Sequence, residues 1–190
     1  MDNLYCDSLL LQPPRILGVQ LRPFSSYHAL VLLRFDNPLV CGGDVSESDL
    51  IQAVVICSQG FSDKLFGYLS LLNDHLPKIQ YGARLLIHDI GRETEAIEDY
   101  IQQYSAGPDY WADGDAKLSG IEPPFQVAGA LLQNMPGFSE EQVWDMPFTR
   151  ALAYKACIAE QHGADVVNQS DIQKASEAEE LFANMEAARN

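Results

Sequence analysis

The sequence predicts an all-α, or mostly α, protein of about eight helices in one compact domain. Apolar residues recur at helical spacing through most of the chain. Ser, Asp, Pro and Gly stand where such helices would start and stop. No two stretches alternate convincingly enough to form a strand pair. With 190 residues and 47% hydrophobic content, the chain can bury a real core. The domain reading places an N-terminal arm or short strand at 1–22, a helical domain at 23–165 and an amphipathic C-terminal helix at 166–190.

Taken in order, "RILGVQLRPF" (15–24) reads as a short strand or an extended arm. "FSSYHALVLLRF" reads as a helix capped by Ser25 or Ser26 and stopped by Asp36-Asn37-Pro38. A turn through Gly42-Gly43 follows. "SESDLIQAVVICSQG" is a helix with a capping box from Ser46 to Asp49 and Gly60 as its C′ residue. A third helix runs from Ser62 along Leu65, Leu69 and Leu72. Residues 78–105 read as helical with interruptions at Gly82 and Gly91, the period resuming through Ile97, Tyr100, Ile101 and Tyr104.

"PDYWADGDAKLSGIEPP" (108–124) is rich in turn formers and reads as a loop. A helix then extends to about Asn134 with proline in its first turn. Ser139 and Gln142 form a second capping box, opening a short helix to Asp145. Asp145 is the expected cap of the next helix, with Pro147 in its first turn and Gly163 as its stop. The last helix, 170–189, sets Leu181, Phe182 and Met185 on one side against several glutamates.

Charge excludes some functions. The net charge of −15, from 27 acidic and 12 basic residues, opposes binding to nucleic acid or to an anionic membrane surface. The longest apolar runs, Ala29–Leu33 and Ala53–Cys57, are too short for a membrane span. The N-terminus lacks the basic region of a secretory signal. Four dispersed cysteines fit a reducing, cytoplasmic setting, with Cys57 and Cys157 expected in the core.

No catalytic signature is present. His28, His75, His88 and His162 are isolated from zinc-ligand spacings, and neither a nucleophile elbow nor a phosphate loop occurs. The aspartates of "DYWADGDAK" miss the calcium-loop register because Trp111 takes a ligand position. The sequence therefore predicts no catalytic residue, no metal and no cofactor. Surfaces remain. Trp144, Met146, Pro147 and Phe148 stand at the junction of two helices, either as a packed corner or as a partner anchor. The expected partner-binding residues are Trp144, Phe148, Leu181, Phe182, Met185 and Trp111.

Two segments, 21–63 and "EEQVWDMPFTRALAYKACIAEQHGAD" (140–165), resemble small helical proteins of bacteriophage and prophage tail gene clusters. They are similar to tail assembly chaperones. The resemblance covers about a third of the chain and rests on packing patterns: Pro23-Phe24-Ser25 and "DLIQAVVICS" in the first segment, Trp144, Met146-Pro147, Ala151 and Tyr154 in the second. It implies a non-enzymatic protein of the bacterial host cytoplasm. Its partners would be tail proteins, the tape measure or the tail tube, and such chaperones act as homo-oligomers. A structural connector or tail-completion component of the virion is the alternative. A small-molecule enzyme with a site around His88, Glu93 and Glu98 is a third.

Overall fold

The computed structural model describes residues 12–63, 88–105, 110–112, 121–163 and 166–168, the two three-residue strands by backbone alone. The elements in chain order are β1 (Arg15–Ile16), β2 (Val19–Gln20), α1 (Ser26–Arg34), α2 (Pro38–Cys41) and α3 (Glu47–Cys57). A 3-10 turn (Phe61–Asp63) follows, then α4 (Ile90–Ser105), β3 (Tyr110–Ala112), α5 (Pro123–Asn134), α6 (Glu140–Trp144), α7 (Phe148–Gln161) and β4 (Val166–Asn168). Most described residues are helical, as expected. Ser62 and Asp63 lie in the 3-10 turn; the rest of the helix expected from Ser62, the expected helical stretch 78–87 with Gly82, and the helix at 170–189 lie outside the described residues.

Two antiparallel strand pairs correct the expectation of none. β1 and β2 form a hairpin with Arg15 opposite Gln20 and Ile16 opposite Val19. Its two-residue turn carries positive φ at Leu17 (49°) and Gly18 (70°), the pattern that matches strand twist. A left-handed leucine costs about 1–2 kcal/mol. Its fully buried side chain and a 2.8 Å hydrogen bond from its N–H to Glu93 Oε2 hold it there. β3 pairs with β4, Trp111 opposite Val167. Strands this short leave no period-2 signal, and a partner so distant in sequence is invisible to local patterning. Residues 110–112 and 166–168 are thus strand rather than loop and helix.

The helix ends follow local chemistry. Ser25 caps α1. The far end closes with Asp36 at φ 49°, while Asn37 N–H donates to Leu32 O (3.0 Å) and Asp36 N–H to Leu33 O (3.1 Å). That 6→1 and 5→2 pair satisfies the last carbonyls. Ser46–Asp49 and Ser139–Gln142 both form complete capping boxes. Gly163, at φ 85°, ends α7 as expected, its N–H reaching Glu160 O.

Several expectations fail for tertiary reasons. Gly91 lies inside α4 rather than interrupting it; Asp89 Oδ1 accepts from the N–H groups of Gly91 and Arg92 and starts the helix. Gly60 is not the C′ residue of α3, which ends at Cys57 with Ser58 as cap. Gly60 instead lets chains approach: a Cβ there would collide with the Arg22 guanidinium and stand 3.0 Å from Asp145 Oδ2. Cys157 is exposed, because α7 turns Ala151, Ala156 and Ile158 inward instead.

One core unites residues from β1, α1, α3, α4, α5, α6 and α7. The segment Leu21–Ser25 packs Leu21, Phe24 and Ser25 into it, and backbone drawn inside must satisfy its polar groups. Leu21 N–H donates to Pro14 O (3.1 Å), and Arg22 N–H donates to Cys57 O (2.9 Å) at the end of α3. The Tyr100 hydroxyl donates to Arg22 O (2.6 Å), and Phe148 N–H donates to Phe24 O (2.8 Å). Replacing Tyr100 with Phe removes the donor to the part-buried Arg22 carbonyl. The expected loss is about 1–3 kcal/mol in urea unfolding, with the helical circular-dichroism signal kept. A variant as stable as the parent would show that this carbonyl does not depend on Tyr100.

Candidate functional site: an aromatic junction beneath an exposed apolar helix face

Residues 140–148 form a packed corner. Trp144 is 5% exposed and Met146 is buried beside it. The indole stacks on Phe61 at 5.9 Å between ring centroids and meets the edge of Phe125 at 5.3 Å. Phe148, half-buried, packs edge-to-face on Phe24 (6.5 Å), which meets Tyr100 in the same way (5.9 Å). Such offset and T-shaped pairs add to burial energy. Trp144 therefore packs as part of the core. Asp145 does not cap α7. It closes α6, and its Oδ1 accepts from Phe61 N–H at 2.7 Å. The N-terminal N–H of α7 takes the Phe24 carbonyl in place of a side-chain cap. Leu181, Phe182 and Met185 lie outside the described residues, as does the Trp111 side chain.

The ionisable groups inside are structural. His28 is the third residue of the α1 capping box: its Nδ1 accepts from Ser25 N–H (3.2 Å). Nε2 therefore carries the proton and donates to Gln59 O (2.6 Å). Burial pushes its pKa down to about 4. The Cys57 thiol is pushed up to about 12 by burial, against the helping hydrogen bond of Tyr100, so it stays protonated and unreactive. Burial likewise raises Tyr100 and lifts Tyr27 to about 12, with the charges of Asp145 and Asp63 adding to it.

His88 and Glu93 do meet, Nδ1 to Oε1 at 2.7 Å. The other Glu93 oxygen is occupied by Leu17 N–H. Glu98 is exposed, five residues further along α4 and about 140° around it. His162 caps α7, and its Nε2 stands 3.1 Å from Asn134 Oδ1. Among the described residues, no group of three or more His, Cys, Asp or Glu could hold a metal ion. Among them, too, no helix is long and apolar enough to cross a membrane.

Outside this junction lies an apolar face that the sequence reading did not single out. Ile121 (56% exposed), Phe125 (39%) and Leu132 (38%) are the large hydrophobic residues left exposed among the described ones. All three belong to α5 or its entry. The adjoining side of α5 buries Pro124, Val127, Ala128 and Leu131, and Gln126 and Gln133 lie on the side away from the core. Large apolar side chains left part-exposed along the edge of a buried helix face form a candidate contact surface. The signal was legible: Phe125, Gly129 and Leu132 repeat at i, i+4, i+7 beside the core repeat of Pro124, Val127, Ala128 and Leu131. The arrangement offers apolar contact rather than acid–base chemistry.

Comparisons with protein-family models, with curated proteins and with solved structures found no match to this chain.

Two outcomes follow from the packing. Trp144→Ala is expected to lose about 3–5 kcal/mol of unfolding free energy, as for other buried aromatics, whereas Leu132→Ser, at a part-exposed helix site, loses about 1 kcal/mol. Comparable losses in urea melts would put Leu132 inside and remove the exposed face. His28 gives a pH dependence. Its folded pKa lies below the unfolded value of 6.5, so its favourable neutral state is fully present above pH 6.5. That advantage is lost as pH falls from 6.5 towards 4, where it reaches roughly 3 kcal/mol. His28→Gln, which retains a capping acceptor, should flatten this part of the stability–pH curve. An unchanged slope would mean that His28 is not the titrating group.

Proposed function

We propose that this chain is a non-enzymatic phage tail assembly protein, a chaperone that binds an aggregation-prone tail component such as the tape measure protein. One observation carries the reading: the two segments with the tail-chaperone resemblance, far apart in sequence, fold against each other as a single unit. Phe24 and Phe148 share a backbone hydrogen bond, and Ser25 bridges Pro147. Phe61 stacks on Trp144 and donates its N–H to Asp145. Leu21–Asp63 and Glu140–Gly163 thus pack against each other, which supports reading the two segments together.

The remaining properties are compatible with this work. An exposed apolar helix face supplies affinity for a client that must be kept from aggregating. The acidic surface keeps a complex in solution. The site of action is the cytoplasm of the bacterial host, where tails assemble. A homo-oligomer would multiply the contacts available to an extended client.

Co-expression with the neighbouring tail proteins, followed by affinity capture of this chain, tests the proposal. The tape measure or tail tube protein should be retained and should become more soluble. Retention of no tail component would sink it. Mass spectrometry of purified virions decides between the two assembly roles: a chaperone is absent from the particle, whereas a connector or tail-completion protein is present.

A further inference from the structure

Gly129 stands in the middle of α5, exposed, and a Cβ added there would meet nothing within 4 Å. Glycine weakens a helix interior relative to alanine. At Gly129 neither a positive φ nor a close neighbour calls for it. At 100° per residue, Phe125, Gly129 and Leu132 lie within about 60° of one another on the helix surface. The glycine is therefore a notch between two exposed apolar side chains, with Ile121 continuing the stripe at the helix entry. Phe125 is braced from below by Trp144.

The charges around this face define what fits it. α5 contains no charged residue, in a chain with 27 acidic ones. Glu122 caps its start and is paired with Arg34 at 2.8 Å. On α6, exposed Glu140 and Glu141 sit one turn before Trp144 and hence on its side of that helix. A second copy of the chain would bring another net charge of −15 against this one. A partner with cationic flanks meets the opposite sign.

We propose that the α5 face of Ile121, Phe125, Gly129 and Leu132 docks an amphipathic α-helix of a partner protein, its apolar ridge seated over Gly129 and its flanks carrying Lys or Arg. Helix-in-groove contact of this kind uses apolar anchors at i, i+3/i+4 and i+7. A missing Cβ on one helix lets the two backbones come close enough for those anchors to interlock. The identity of the partner as a tail protein rests on the preceding section; the docking face itself does not.

The test uses the full chain and two synthetic amphipathic peptides with the same Leu/Ala ridge, one flanked by Lys and one by Glu. Calorimetric titration should show binding of the Lys-flanked peptide, roughly tenfold or more weaker binding of the Glu-flanked one, and loss of affinity with added salt. Gly129→Leu should weaken binding by about tenfold or more without lowering Tm, because leucine is the better helix former and has room. Leu132→Glu should weaken it independently. No binding, equal binding of both peptides, or unchanged binding by Gly129→Leu overturns the proposal. So does a dimer in sedimentation that Gly129→Leu abolishes, which would assign the face to a second copy. Peptide binding without capture of any tail protein would leave the docking face and remove the tail-assembly reading. Tail proteins captured equally well by Gly129→Leu would do the reverse.

Discussion

The structure depends on one short segment, Leu21–Ser25, which buries Leu21, Phe24 and Ser25 while Arg22 reaches the surface. Part-buried backbone outside any continuous sheet or helix has polar groups that would each cost free energy if left bare. For Arg22 and Phe24 the partners come from three different helices. Arg22 N–H takes the last turn of α3, Arg22 O takes the Tyr100 hydroxyl of α4, and Phe24 O takes the first N–H of α7. Ser25 then turns the chain into α1, with His28 closing the cap. The same few residues therefore fix where three other helices begin, end or lie. The helices gain as well, since the Cys57 carbonyl and the Phe148 N–H are terminal groups with no partner inside their own helices.

From this segment the aromatic contacts lead outward. One series runs from Tyr104 and Tyr100 through Phe24 to Phe148. Another runs from Tyr27 through Phe61 and Trp144 to Phe125, which is partly exposed on α5. Packing of this kind transmits position: a rigid Trp144 keeps Phe125 in place on an otherwise open face. The core and the candidate contact surface are parts of one construction. A docking surface built on such a support loses less conformational entropy on binding than one built on a loop.

The aromatic corner shows how residue type can mislead about function. Trp and Met are enriched at interfaces, and the same large apolar area makes them good core residues. The sequence placed Trp144 at a helix junction and left both roles open. The structure assigns it to the core, where Phe61 and Phe125 cover it. The exposed face lies instead on α5, whose two apolar repeats overlap so closely in sequence that they read as one ordinary buried helix. Only the packing of α5 against α1 and α7 separates the inward repeat from the outward one.

What the sequence determined by itself is local. The capping boxes at Ser46 and Ser139, the stop at Asp36-Asn37, the proline start of α5 and the glycine end of α7 all form as their short-range chemistry dictates. Each involves hydrogen bonds or torsions within about five residues, so the information lies in the neighbouring letters. Tertiary structure decided whatever needed a distant partner. Asp145 turned from the next helix to Phe61, Gly60 became a point of close approach for Arg22, and Cys157 faced outward. The strand of Tyr110–Ala112 found Val166–Asn168, and the positive φ of Leu17 was held by Glu93. Burial and long-range hydrogen bonding outweigh local preference in such places, because each involves free energies as large as the propensities it overrides.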